Sequence, residues 1–532
     1  MKRILLTLLC SSALMNGFAE DKKYAPTWES IDAREVPQWY GDAKFGIFIH
    51  WGLYSVPGYT NKGTYAEWYW NAMNEIEDKN DPIKVERHIE INRFHKQNYG
   101  EDFPYSGFRK EFKAELFQPE EWADIFKRSG AKYVVLTSKH HDGYCLWPNK
   151  EASKAYGMAW NSVESGPGRD LVGELTQAVR AEGLKMGLYY SIWDWYNPLW
   201  PREQQQLLQS GSMDVNFKKG GAQQKKAINK AKYEEAKAGL NQYIDEVMYP
   251  QFKELVNKYQ PSLIFSDGDW WMNDDLWRTR PMLAWLYNHA PNKDEVVIND
   301  RWGKVRGKHG GYYTTEYGSG FSGINRPWEE NRGIGMSFGI NRIENIDDYN
   351  TEKDLLFMLV DIVSRGGNLL LNIGPRPDGT IPVIMQERLT QMGQWLKVNG
   401  EAIYGTKAYK ESAQWSEGKI PVFTQQDFHT GFPIYEMTIA PKPGNAHKEM
   451  WFTQKGHDLY ALLPAWPADN KVTIKLLDFK KKKKVKVEML GVEKELNYKV
   501  EGNTVTVDLT NIGIADLPCR HIYTLKISNA IK

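Results

Sequence analysis

Ser262-Leu263-Ile264-Phe265-Ser266-Asp267-Gly268-Asp269-Trp270 is a short apolar run that ends in carboxylates. With the period of two that a strand imposes, Leu263, Phe265 and Asp267 share one face, and Ile264 and Ser266 share the other. Apolar residues on both faces fit a strand of a parallel sheet that is covered on both sides. Asp267 then emerges at the C-terminal rim beside an aromatic floor, and Gly268 lets the backbone turn away. Asp269, past the glycine, reads as a loop cap rather than as a chemical group.

The same design recurs along the chain. Residues 45–50, 133–140, 184–191, 295–301 and 368–374 are further apolar runs with polar ends. Helix-type stretches at 119–129, 172–182, 241–259, 276–290 and 352–364 fall between most of them. Strand and helix in alternation predict parallel β/α architecture. Polar residues gathered at the strand ends favour a (β/α)₈-like barrel over a doubly wound open sheet, because those ends build the active site of a barrel. Beyond Tyr404 the runs become short and alternating (435–440, 458–463, 471–476, 484–490, 504–509), which predicts a C-terminal all-β sandwich. The lysines at 480–484 read as a solvated turn. Residues 204–237, rich in Gln, Lys and Ala, read as an exposed, partly helical insertion.

The length of 532 residues calls for two or three domains, and 41% hydrophobic with 25% charged residues is ordinary for globular protein. A net charge of +1 supplies no field that would draw the chain to nucleic acid. Twenty-one Trp and 29 Tyr exceed the needs of a core, and flat aromatic rings stack on sugar faces. At the N-terminus, Lys2 and Arg3 precede an apolar stretch over 4–15 and the small-residue site Gly17-Phe18-Ala19, the pattern of a cleaved export signal. That stretch is shorter than the ~20 residues a membrane span needs, and Cys10 sits too early in it for a lipid anchor. The remaining cysteines, Cys145 and Cys519, make no disulfide framework and lack metal-ligand spacing. The expected organisation is a signal peptide over 1–19, a catalytic barrel over 25–404 and a β-sandwich over 405–532, secreted or periplasmic, with no transmembrane segment after cleavage and with oligomerisation left open.

Other strand ends carry His50-Trp51-Gly52, Glu67 among aromatics, Lys139-His140-His141-Asp142-Gly143, Tyr189 and Asn299-Asp300-Arg301. Adjacent histidines diverge on an extended backbone, so hydrogen bonding to a polyhydroxylated ligand is as good a reading of His140 and His141 as metal ligation. Arg301 offers a rigid fork to a carboxylate or a hydroxyl. A rim with three histidines, several carboxylates, an arginine and many aromatics suggests glycoside hydrolysis, whose chemistry needs two carboxylates and little else.

Phe48-Ile49-His50-Trp51-Gly52, Glu67-Trp68-Tyr69, Lys139–Gly143, Phe265–Trp270, Asn299–Gly303, the Gly366–Pro375 block and Gly400-Glu401-Ala402-Ile403-Tyr404 together resemble the signature blocks of the α-L-fucosidases of glycoside hydrolase family 29. They appear in that family's order over roughly residues 27–410. The 295–303 segment with His309-Gly310-Gly311-Tyr312-Tyr313 resembles its broad-specificity branch. The resemblance implies an exo-acting, retaining enzyme without cofactor or metal, acting on fucosylated oligosaccharides or glycoconjugates. It implies Asp267 as nucleophile, with His50, Glu67, His140, His141, Tyr189 and Arg301 around the sugar; Trp51 and Phe265 are the candidates for an apolar wall that would select a 6-deoxy sugar. Phe265 stands where the family usually has Trp, so an indole donor is lost. A different retaining exo-glycosidase and a non-catalytic carbohydrate-binding homologue are the rival readings. For the acid/base the candidates are Glu316, Glu329 and Glu330. Glu329 is preferred, because Pro327-Trp328 supplies stiffness and an apolar neighbour and because the family's Trp-Glu pair matches 328–329; Glu330 is expected to face solvent.

Overall fold

The computed structural model describes residues 23–531 apart from 77, 213–229, 319, 322, 422–433 and 476–484. The export signal, the middle of the 204–237 insertion and the 480–484 lysines lie outside the described residues. Helices Arg202–Ser212 and Lys230–Tyr243 flank the insertion's undescribed part.

Eight parallel strands form the catalytic sheet: β1 Phe45–Ile49, β2 Tyr133–Lys139, β3 Lys185–Ser191, β4 Leu263–Asp267, β5 Val297–Ile298, β6 Tyr313–Glu316, β7 Trp328–Gly333 and β8 Asn368–Ile373. Their order is β5-β4-β3-β2-β1-β8-β7-β6. The sheet curls until its two edges meet. Tyr312 N–H donates to Ile298 O at 3.0 Å and Gly311 N–H to Asn299 O at 3.2 Å, so two bonds rather than a ladder close the barrel. Two apolar layers result. One fills the barrel with Phe48, Tyr133, Val135, Tyr189, Phe265 and Leu370. The other lies between the strands and the surrounding helices and includes Ile47, Val134, Leu136, Ile264 and Leu371. Burial on both faces explains the near-continuous apolar runs.

The helices follow from local chemistry. In Pro119–Arg128, proline opens the first turn, Glu120 and Glu121 sit at the positive end, and Lys127 and Arg128 at the negative end. Trp122, Ala123 and Phe126 are its buried face.

The strand expected over 295–301 is only two residues long. Past Ile298 the Asn299 side chain takes over the pairing, accepting from Ser266 N–H at 3.2 Å and donating to Ser266 O at 2.8 Å. The backbone is thereby freed to turn, and Arg301 enters the barrel mouth. Strands β6 and β7 are absent from the apolar pattern because their inward residues are Thr314, Glu316, Glu329 and Asn331. The expected run 435–440 is a π-helical turn, Tyr435–Ile439.

Beyond the barrel, β9 Lys407–Trp415, β10 Lys448–Lys455, β11 Asp458–Leu463, β13 Lys486–Met489 and β16 Tyr523–Ser528 form an antiparallel sheet. It packs on a second sheet of β12 Lys471–Ile474, β14 Asn497–Glu501 and β15 Thr504–Asp508. Phe452, Leu459, Val487 and Leu525 of the first sheet share a core with Ile474, Val505 and Val507 of the second.

The helix Glu352–Ser364 is buried from Leu355 to Ser364 between barrel and sandwich. At its centre Asp361 pairs with Arg365 at 2.7 Å, with Lys448, and with Trp451 Nε1 at 3.1 Å. Burial works to raise this carboxyl, but the two cations outweigh it and hold it at about 2. Its stabilising contribution is present above the ordinary value of 3.8 and is lost as pH falls through about 2. Asp361→Ala takes from the buried Lys448 and Arg365 the carboxylate that they share. A loss of ~3–5 kcal/mol is expected in denaturant unfolding at neutral pH; a loss under 1 kcal/mol would show that the interface does not depend on this pair.

Candidate active site

At the C-terminal end of the barrel is a cavity of about 190 Å³, lined by Phe48, His50, Tyr65, Glu67, Trp68, His140, Tyr189, Phe265, Asp267, Trp270, Arg301, Glu316, Asn331 and Phe338. A larger surface groove of about 460 Å³, beside Ile340, Arg342 and Arg376, contains one carboxylate, Glu344, and none of the strand-end residues. Chemistry places the site in the smaller cavity, where two carboxylates meet one arginine.

Asp267 ends β4, and Gly268 follows at φ +87°; a Cβ there would stand 2.8 Å from that of Trp193, so the sharp exit requires glycine. Asp267 Oδ1 accepts from Arg301 Nη1 at 3.0 Å and Arg306 Nη2 at 3.2 Å. Oδ2 accepts from Tyr189 OH at 3.1 Å, with His141 Nε2 at 3.6 Å. Burial works to raise this carboxyl, but Arg301, His141 and Arg306 outweigh it and hold it well below the usual carboxylate range. Asp269 forms a fork with Arg306, at 2.9 and 3.1 Å to Nε, and so ties the loop after β4 to the loop after β5.

Glu316 ends β6. Its Oε2 accepts from Arg301 Nη2 at 3.1 Å and its Oε1 from Tyr65 OH at 3.1 Å. One guanidinium thus holds both carboxylates, and a close pair of carboxyl groups is what a retaining glycosidase needs.

Burial keeps His50 and His140 neutral, as hydrogen-bonding groups rather than cations. Asn372 Nδ2 donates to Phe338 O at 2.7 Å, so its Oδ1 faces His50 Nδ1 at 2.7 Å and must accept. The proton therefore sits on Nδ1, and Nε2 is left as an acceptor. Burial pushes His50 down to about 3 and drives His140 well below the ordinary imidazole value, with His141 and His50 adding to the latter shift. Glu67 accepts from Gly339 N–H at 2.8 Å, and burial raises its carboxyl to about 8. At neutral pH it is an acid that can donate to a hydroxyl. His50 as acceptor and Glu67 as donor thus have defined roles, as recognition of a polyol requires.

His50, Glu67, His140, Tyr189, Phe265, Asp267 and Arg301 all line the cavity. Four sequence expectations are corrected. Trp51 points away: it is 1% exposed, packs on Phe112, Phe117 and Trp122, and donates to Arg376 O at 2.8 Å. His141 stands behind Asp267 rather than in the lining, with Nδ1 2.6 Å from Ser191 Oγ. Glu329 does not reach the cavity at all. It is 0% exposed in the barrel interior and accepts from Tyr40 OH at 3.0 Å and Tyr133 OH at 2.5 Å. An acid must touch the leaving oxygen, and Glu329 lies one inward layer below Asn331. Glu330 is not solvent-facing either: it is buried against Arg332 at 3.1 Å and Thr315.

Tyr65, Trp68 and Trp270 belonged to blocks visible in the sequence, whereas Asn331, Phe338 and Arg306 carried no signal. Among the described residues no group of three or more His, Cys, Asp or Glu is placed to hold a metal ion.

Burial raises the Glu329 carboxyl to about 7, against the pull of its tyrosine hydrogen bonds. The fold favours its neutral form, so its contribution is present below the ordinary 4.5 and is lost as pH rises through about 7. Glu329→Gln should flatten the part of the melting-temperature profile that falls between about pH 4.5 and 7 and should leave hydrolysis in place. An unchanged profile together with lost activity would contradict this placement.

A family model described as alpha-L-fucosidase matches residues 12–401, and one for the alpha-L-fucosidase C-terminal domain matches 444–528. The chain belongs to the α-L-fucosidase family. Among the relatives of this α-L-fucosidase chain are the alpha-L-fucosidase of Dictyostelium discoideum, 40% identical over 75% of this chain and 77% of its own, and the human plasma alpha-L-fucosidase, 37% identical over 96% and 93%. The Thermotoga maritima alpha-fucosidase, solved with a mechanism-based inhibitor, superposes with a TM-score of 0.70 at 34% identity over 95% of this chain and 100% of its own. Family membership makes the chain a glycoside hydrolase. No helix among the described residues is long and apolar enough to cross a membrane.

Proposed function

We propose that the chain is an exo-acting, retaining α-L-fucosidase of the broad-specificity branch, with Asp267 as nucleophile and Glu316 as acid/base. The observation that carries this reading is the Arg301 fork, which joins the two carboxylates across the cavity. Asp267, kept ionised, attacks the anomeric carbon while Glu316 protonates the leaving oxygen. Glu316 then takes a proton from the water that cleaves the ester, and configuration is retained. As charge develops on the ring, Arg301 is already in place and needs no reorganisation. His50 and His140 accept from, and Glu67 donates to, the hydroxyls of fucose. Phe48, Phe265 and Phe338 face its methyl group.

The cavity holds about one monosaccharide, in keeping with an enzyme that reads the terminal sugar and asks little of the next one. The natural substrates under this reading are fucosylated oligosaccharides and glycoconjugates, met outside the cytoplasm after removal of residues 1–19. Catalysis is assigned to residues 25–404 and a supporting role to 405–532. The test is hydrolysis of a 4-nitrophenyl α-L-fucoside that carries no neighbouring galactose. Ready cleavage is expected, and activity confined to branched oligosaccharides would overturn the branch assignment.

A further inference from the structure

Arg306 is absent from the cavity lining, yet it reaches Asp267. It belongs to the loop between β5 and β6, and its side chain is 14% exposed. Nε grips Asp269 Oδ2 at 2.9 Å and Nη2 grips its Oδ1 at 2.5 Å, while the same Nη2 lies 3.2 Å from Asp267 Oδ1. The loop itself is pinned on either side of the arginine. Lys304 N–H donates to Met272 O at 3.1 Å, and Gly307 N–H donates to Asp300 Oδ2 at 2.9 Å. A tie between two loops needs only the Asp269 fork, so the further bond to Asp267 calls for another explanation.

The two oxygens of Asp267 are not equivalent. Each oxygen of an ionised carboxylate offers about two lone pairs to donors. Oδ1 uses both, on Arg301 Nη1 at 3.0 Å and on Arg306 Nη2. Oδ2 uses one, on Tyr189 OH at 3.1 Å; His141 Nε2, at 3.6 Å, is beyond hydrogen-bond reach. One lone pair of Oδ2 is left to form a bond to carbon. Without Arg306 the two oxygens would each carry a single donor.

We propose that Arg306 is a positioning residue for the reaction: it occupies Asp267 Oδ1 so that Oδ2 bonds the anomeric carbon, and it speeds the second step by stabilising the carboxylate that departs. The inference rests on the double displacement through Asp267 set out above. In the first step the bond from C1 to the leaving oxygen breaks as Oδ2 bonds C1, and Glu316 gives its proton to that oxygen. Oδ1 is then the carbonyl oxygen of an uncharged ester, and Arg306 keeps Asp269 as its counter-charge. In the second step water bonds C1 and gives a proton to Glu316, while the C1–Oδ2 electron pair returns to the carboxylate. Arg306 already faces Oδ1 when the negative charge reappears, so nothing has to reorganise. The same bond favours the free carboxylate over the ester, so it helps the second step and not the first.

The experiment follows the two steps separately with 2-deoxy-2-fluoro-L-fucosyl fluoride. The rate of inactivation reports formation of the ester. After excess reagent is removed, the return of activity reports its hydrolysis. Arg306→Gln is expected to slow recovery by about tenfold, the worth of one hydrogen bond to a charged group, and to slow inactivation far less. Arg306→Lys keeps the cation and should restore part of the recovery rate. Asp269→Asn leaves an acceptor for the guanidinium and removes the competing charge, so its ester should recover at least as fast as that of the wild type. A loop tie alone predicts that Arg306→Gln and Asp269→Asn slow both steps together. Equal slowing of both steps in Arg306→Gln, or recovery at the wild-type rate, overturns the proposal. Should Arg306→Gln not fold, Asp269→Asn decides: undiminished recovery supports the proposal, and slowed recovery overturns it. A wild type that forms no ester on Asp267 would strike instead at the fucosidase reading.

Discussion

Asp267→Gly lowers kcat on every fucoside by on the order of 10³-fold or more while the fold persists. As the proposed nucleophile, the carboxylate would form a bond in the reaction, so the expected loss is large. Removing it takes away one of the two steps into which the barrier is divided. KM changes far less, since His50, Glu67, His140 and the phenylalanines still hold the sugar. The fold tolerates the change because Arg301 keeps Glu316 and Thr314 as partners, and Arg306 keeps Asp269. The space left by the side chain, facing two guanidinium groups, admits a small anion. Azide should restore turnover and give the β-L-fucosyl azide, inverted relative to the substrate. Near-normal activity in the unaided variant would remove Asp267 from this role.

Glu316→Ala separates substrates by their leaving groups. Natural oligosaccharides leave as poor alkoxides and need the proton, so their hydrolysis should fall by about 10²–10⁴-fold. Activated aryl fucosides leave unaided, and their first step should be nearly spared. Azide then attacks the fucosyl ester from the open side and gives the α-L-fucosyl azide, with retention. Glu67 is the other acid in the cavity, held near 8 by burial. Glu67→Gln keeps an N–H donor for the sugar and should weaken all substrates alike, whatever the leaving group. If the dependence on leaving group appears in Glu67→Gln and not in Glu316→Ala, the two roles must be exchanged.

The apolar strands of the barrel were legible because both of their faces are buried, so 262–267 and its counterparts stand out as short hydrophobic runs. The same period of two correctly put Asp267 on the inward face with Phe265. Two strands were missed for the converse reason. Tyr313–Glu316 and Trp328–Gly333 turn threonine, glutamate and asparagine inward, and nothing in their pattern announces a strand. Glu329 shows what alternation cannot supply. It faces inward, and burial raises its carboxyl as an acid would require, but it lies one layer too deep. Depth is set by how the strands are staggered around the barrel, a property of the closed sheet. Trp51 was misread in a similar way: one residue past His50 it takes the opposite face and joins the packing behind the sheet. Arg306 and Phe338 come from irregular loops whose course depends on contacts with other loops.

The assignment of the nucleophile is most directly tested by trapping. A 2-deoxy-2-fluoro-L-fucosyl fluoride forms the ester and slows its breakdown, because fluorine destabilises the second transition state as well as the first while the fluoride leaves readily. Peptide mapping of the inactivated enzyme by mass spectrometry should place a single 2-fluorofucosyl group on Asp267. A label on Glu316, Glu67 or Asp269, or turnover of the reagent with inversion and no label, would contradict the double displacement through Asp267.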